Sequence, residues 1–169
     1  MTATSSSAPL APNQFEILCF YILYASTFGE PEQGAKMVDQ AIALNPNFPM
    51  WSTRIFAYAY FMVGRYADAL HMIDRLAPDN YGQWIWVYRS GSLASVNRKE
   101  EAMQSVTKAL QAFPDLTIEA HVSEPDYNDA ERKRLIDTMR LAGFPACAKP
   151  DQLAEIAKPV RLPECTAQP

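Results

Sequence analysis

Residues 56–70 read FAYAYFMVGRYADAL: a run that is apolar on almost every side, a glycine turn at Gly64-Arg65-Tyr66, and a second run opened by small residues. A helix pattern stops at Gly64 and another starts at Tyr66, so the stretch is a helix hairpin written in fifteen letters. The same punctuation occurs at Gly29-Glu30-Pro31 and at Asn97-Arg98-Lys99, which places the three turns 35 and 33 residues apart. Five positions after each turn comes a small residue, Gly34, Ala69 or Ala102, and seven later a second stripe at Ala41, Leu76 and Ala109. The first and third units close on Pro46 and Pro114. A helix pair repeated at such a period cannot bury its own apolar face, so the stack is the folding unit.

Working outward, the apolar spacing predicts helices over about 14–27, 31–44, 50–63, 66–77, 82–95 and 98–112, the sixth opened by a capping box from Asn97 to Glu100. A further helix is expected from Asn128, with Glu131 three residues on and Gly143 as its stop. It carries Leu135, Ile136 and Met139 on one side and charged residues on the other, the pattern of a cap on the end of an array. The fold expected is all-α: three helix pairs plus a C-terminal capping helix over 14–144. Residues 1–13, rich in Ser, Thr, Ala and Pro, are expected to be disordered. Residues 145–169 hold five prolines and a weak helix pattern at 151–158, and are expected to be a loose tail.

The chain has 169 residues, 49% of them hydrophobic, a net charge of −4 and a pI near 5.2. That is material for one cored domain, and the missing basic excess argues against a general nucleic-acid binder. Three cysteines, at 19, 147 and 165, show no zinc spacing. A bridge between Cys147 and Cys165 is geometrically open but unsupported, and the reading is a reducing, cytoplasmic compartment. The first basic residue is Lys36, so no secretory leader is legible. The run Ile17–Ala25 is too short to span a bilayer, which needs ~20 residues.

In register, the repeats resemble those of tetratricopeptide proteins. Trp86, Ala102, Ala109 and Pro114 of the third unit, and Tyr60, Gly64, Tyr66 and Ala69 of the second, fall at that family's signature positions. Tyr81 stands where the second unit would have its closing Pro, and Gly34 where the first would have Ala. A narrower resemblance over 29–145 rests on GEPEQGAKMVDQAIALNPNFPMW, FAYAYFMVGRYADAL and EPDYNDAERKRLIDTMRLAGFP. It is to the C-terminal repeat region of bacterial adenylate/guanylate cyclases, in which a class III catalytic domain precedes such an array. There is no room for that domain before residue 14. The resemblance therefore implies a regulatory or assembly module that synthesises nothing alone.

Catalytic constellations are not legible. His71 and His121 lie in different elements without a nucleophile signature, and Gly82 to Gly91 is no phosphate loop. Asp126, Asp129 and Glu131 cluster at a helix start, where acids favour the dipole more readily than they hold a metal. No catalytic, cofactor or metal residues are expected. The tetratricopeptide resemblance implies a concave groove lined by the first helix of each pair. It would present Trp51, Ile55, Tyr58, Phe61 and Met62 from the second unit and Trp84 and Val87 from the third, with Glu16, Cys19 and Leu23 from the first. Such a surface suits an apolar peptide or helix of a protein partner. Two alternatives stay open: the same side chains pack the core, or the tail covers them. The groove lacks the Lys/Arg/Asn set of a two-carboxylate clamp. The helix at 14–27 is apolar around nearly its whole circumference, which points to a weak homodimer unless the tail folds over it.

Overall fold

The computed structural model describes residues 12–125 and 127–166, and these are helical with no strand among them. The disorder expected for 1–13 falls outside the described residues, except that the first helix already begins at Pro12. Six helices form three successive hairpins: α1 (Pro12–Thr27) with α2 (Pro31–Leu44), α3 (Thr53–Met62) with α4 (Tyr66–Ile73), and α5 (Gln83–Ser95) with α6 (Lys99–Ala112). The first helices also form a row, α1 against α3 and α3 against α5. Among the described residues no helix is long and apolar enough to cross a membrane.

The three turns share one mechanism. Gly29, Gly64 and Asn97 all have left-handed backbones, with φ of 106°, 75° and 64°. The amide after each turn residue reaches back five positions: Glu30 to Ala25, Arg65 to Tyr60 and Arg98 to Leu93, each at 2.9 Å. This is the Schellman closure, in which a left-handed residue lets the next amide satisfy an orphan carbonyl. Asn97 belongs to that closure, so the capping box expected at Asn97 and Glu100 does not form; Arg98 is the N-cap and caps nothing with its side chain.

Both departures from the repeat pattern have packing reasons. At Gly34 a Cβ would lie 2.2 Å from Ser26 Oγ and 3.2 Å from the Ile22 carbonyl, because α1 and α2 approach that closely. Tyr81, in place of a proline, buries its ring edge-on to Trp86 at 4.9 Å and donates to the Ile73 carbonyl at 3.2 Å.

A short helix, α7 (Ile118–Val122), follows, with no counterpart in the expected set. Helix α8 (Asp129–Ala142) starts on the expected capping box. Asn128 Oδ1 accepts from the Glu131 amide at 3.0 Å, and Glu131 Oε2 accepts from the Asn128 amide at 2.8 Å. Its placement corrects the expectation of an end cap. Leu135, Thr138 and Met139 are buried, and α8 packs chiefly along α5 on the inner side of the first-helix row. Asn128 Nδ2 donates to the Thr27 carbonyl at 2.7 Å, Arg134 donates to Tyr66 Oη at 3.1 Å, and Thr138 lies over Gly91.

The tail is not loose. It carries helices α9 (Pro150–Ala154) and α10 (Pro163–Thr166), its segments 145–148 and 160–162 lie against α7 and the Ser123 that ends it, and Cys147 and Cys165 form a disulfide with Cα atoms 5.4 Å apart. The buried Glu119 carboxylate organises this packing. It accepts from the Ala148 amide at 3.0 Å, the Leu162 amide at 2.8 Å and Arg161 Nε at 3.0 Å. The disulfide removes the cysteine argument for a reducing compartment, since such bonds persist in oxidising ones. Just before each of the two short helices, both opened by a proline, the backbone still has an amide to donate, and a buried acid collects them.

Candidate functional site

Helix α8 covers only part of the inner row. Over α1 and the N-terminal halves of α3 and α5 an open cleft of about 1000 Å³ remains, at the large end of the ~300–1,000 Å³ typical of ligand pockets. One wall is α1, with Phe20, Leu23, Tyr24 and Phe28. The floor comes from α3, through Ile55 and Tyr58, and from α5, through Ile85 and Tyr88. Trp84, 41% exposed, forms the far wall with Tyr127. The non-aromatic polar side chains of the lining are Thr27, Arg54, Gln83 and Glu124.

The floor is held rigid from below. Tyr58 Oη donates to the Glu131 carboxylate and lies 3.1 Å from Thr27 Oγ1, tying α3 to α8 and α1. The Tyr58 and Tyr88 rings sit 5.8 Å apart, and Tyr88 packs on Phe61 at 4.9 Å. Burial, aided at Tyr58 by the Glu131 carboxylate, pushes both hydroxyls far above the ordinary tyrosine range. His121 of α7 stands behind the far wall. Its Nδ1 lies 3.1 Å from Gln83 Nε2, and its ring centroid is 6.1 Å from that of Trp84 and 5.8 Å from that of Tyr127. Burial pushes His121 down to about 4, so the imidazole is neutral near pH 7. The cleft thus offers a neutral, pre-shaped aromatic surface.

Of the residues expected to line the groove, the structure brings Ile55, Tyr58 and Trp84 together in the cleft. Tyr58 contributes little free surface, being 8% exposed. Phe61, Met62 and Val87 are core residues, a correction with a physical cause: Phe61 is packed between the Tyr66 and Tyr88 rings and against Gly91 of α5, and Val87 is fully enclosed. Trp51 lies outside the cleft, half exposed and edge-on to Phe15 at 5.9 Å. In the first unit Leu23 lines the cleft, Cys19 is core and Glu16 is exposed elsewhere on α1. Burial, with Glu16 adding to it, pushes the Cys19 thiol up to about 11. His71 is exposed on α4. Asp129 and Glu131 sit in the first turn of α8 as expected, whereas Asp126 falls outside the described residues. Among the described residues no three His, Cys, Asp or Glu side chains gather as a metal-binding group.

Sequence reasoning missed Phe20, Tyr24, Phe28, Ile85 and Tyr88. The aromatic spacing 20, 24, 28 is a signal for the α1 wall, and Ile85 and Tyr88 each lie one position on from an expected groove residue. In comparisons with family models, curated proteins and solved structures, the chain matches none.

Proposed function

We propose that this chain is a non-catalytic interaction module: a tetratricopeptide-type array that receives an apolar peptide or one face of an amphipathic helix in the cleft between α1, α3 and α5. The observation that carries it is the open aromatic cleft itself, which the described tail residues, up to Thr166, leave uncovered by packing on α7 instead. Large aromatic rings on a rigid backing supply contact area at little entropic cost, and interface energy concentrates on such anchors. Arg54 and Glu124 are the charged residues of the cleft lining, so the cleft carries no net charge to select for or against a charged ligand.

The test uses a displayed library of 16-residue peptides selected on the full chain, followed by anisotropy with one enriched synthetic peptide. The expected sequences carry apolar anchors at i, i+3/i+4 and i+7. Trp84→Ala or Ile55→Asp is expected to weaken binding at least about fivefold, the loss of one anchor worth over ~1 kcal/mol. No enrichment, or binding unchanged in both variants, contradicts the reading.

A second reading keeps the same cleft but names its setting: a regulatory or assembly module of a nucleotide-cyclase system. Its support is the resemblance over 29–145, whose distinctive last segment, around Asn128 and Glu131, is the part that backs the cleft floor. Co-purification with a class III cyclase, blocked by Trp84→Ala, is the expected result. A cyclase neither bound nor altered in activity leaves the free-standing adaptor.

A further inference from the structure

Among the described residues, the outward face of α1 is a seam without a partner. Ile17, Tyr21, Tyr24 and Phe28 are spaced 4, 3 and 4 residues, the alternation of apolar positions along helix-pair seams. They are 54%, 61%, 63% and 68% exposed. The opposite side of the same helix, through Phe15, Cys19, Ile22 and Ser26, is buried in the array. The segment that would most simply have covered the seam, the tail, is committed to α7. Glu16 is the sole charged residue between 12 and 29, so the face can be desolvated without burying a charge.

From these observations we infer that two copies of this chain associate through α1, in an antiparallel pair about a twofold axis between Tyr21 and Tyr24. Ile17 of one copy packs against Phe28 of the other, and Tyr21 against Tyr24. Area supports a second copy as the occupant. At ~150–250 Å² for each aromatic side chain, the exposed parts of the seam with Phe20 and Leu23 come to on the order of 700 Å². That is close to the ~800 Å² each partner contributes to a standard interface, and larger than the apolar patch of a typical monomer. The antiparallel sense opposes the two helix dipoles and sets the two Glu16 side chains at opposite ends of the seam. The pairing is isologous, so the same residues serve both copies and the assembly closes at two.

Part of this seam is shared with the cleft: Tyr24 and Phe28, with Phe20 and Leu23, also form its α1 wall, whereas Ile17 and Tyr21 do not, so substitution at Tyr21 separates the two readings. The test is sedimentation velocity of the full chain from low to high micromolar. The expected result is a concentration-dependent shift from the 18.9 kDa monomer to a species of twice that mass. Tyr21→Glu should return it to monomer with an unchanged helical spectrum, since the replaced ring is exposed; Trp84→Ala should leave the dimer intact. Mixing Tyr21→Cys and Tyr24→Cys chains under mild oxidation should give more cross-linked dimer than either alone. A chain that stays monomeric at high micromolar, a dimer indifferent to Tyr21→Glu, larger open assemblies, or preferential 21–21 cross-linking overturns the inference.

Discussion

Acidification should weaken this fold through a single buried imidazole. His121 is 1% exposed on α7, bonded to Gln83 and facing the rings of Trp84 and Tyr127. Burial lowers it from 6.5 to about 4. Between those values the unfolded chain binds a proton that the folded chain refuses, so stability is fully present above pH 6.5 and is lost as pH falls toward 4. At ~1.36 kcal/mol per unit, the interval is worth about 3 kcal/mol. Urea unfolding followed by tryptophan fluorescence at several pH values between 7 and 4 measures it, with His121→Gln as the comparison. The carboxylates held low by their partners, Asp39 by Arg65 and Glu119 by two amides and Arg161, titrate in both proteins and cancel in the difference. Wild type should lose about 1.4 kcal/mol per pH unit more than the variant across the window. Parallel stability curves would refute the reasoning.

Glu119→Ala should leave the Ala148 and Leu162 amides and Arg161 without their acceptor, costing about 2–4 kcal/mol; limited proteolysis should then cut between 150 and 163 before anywhere in α1–α6. Reducing Cys147–Cys165, 18 residues apart, should cost about 3 kcal/mol of unfolding free energy, and denatured protein should titrate one thiol before reduction and three after. Gly91→Ala should destabilise by about 1–3 kcal/mol, because the new methyl would sit 2.9 Å from Thr138 Cβ; at Gly82, where nothing lies within 4 Å, the same change should be nearly neutral in a melting experiment.

The repeat was legible because its signals are local. Gly29, Gly64 and Asn97 each need a left-handed backbone, and small residues at fixed offsets admit the neighbouring helix, so six helices fall near their expected ranges. The Asn128 capping box was legible for the same reason. What sequence could not show was long-range. Whether α8 closes the end of the stack or turns into its inner face depends on Thr138 meeting Gly91 and Glu131 meeting Tyr58, contacts 47 and 73 residues apart. The burial of Phe61 is likewise long-range, set by the Tyr88 ring and Gly91 of α5, while Ile55 and Trp84 stay open to the cleft. The tail misled in a similar way: its five prolines suggest a loose segment with only a weak helix, while the acceptor that orders it, Glu119, is a single acid 29 to 43 residues upstream.

The three tryptophans allow the central claim to be tested with one spectrum. Trp84 lines the cleft, Trp51 is equally exposed outside it, and Trp86 is buried behind Tyr81. Each gives one indole N–H resonance in a proton–nitrogen correlation. Titrating in a library-selected amphipathic peptide should move the Trp84 indole signal saturably while those of Trp51 and Trp86 hold still. Saturable movement at Trp51 with Trp84 unmoved would place binding elsewhere and contradict the account.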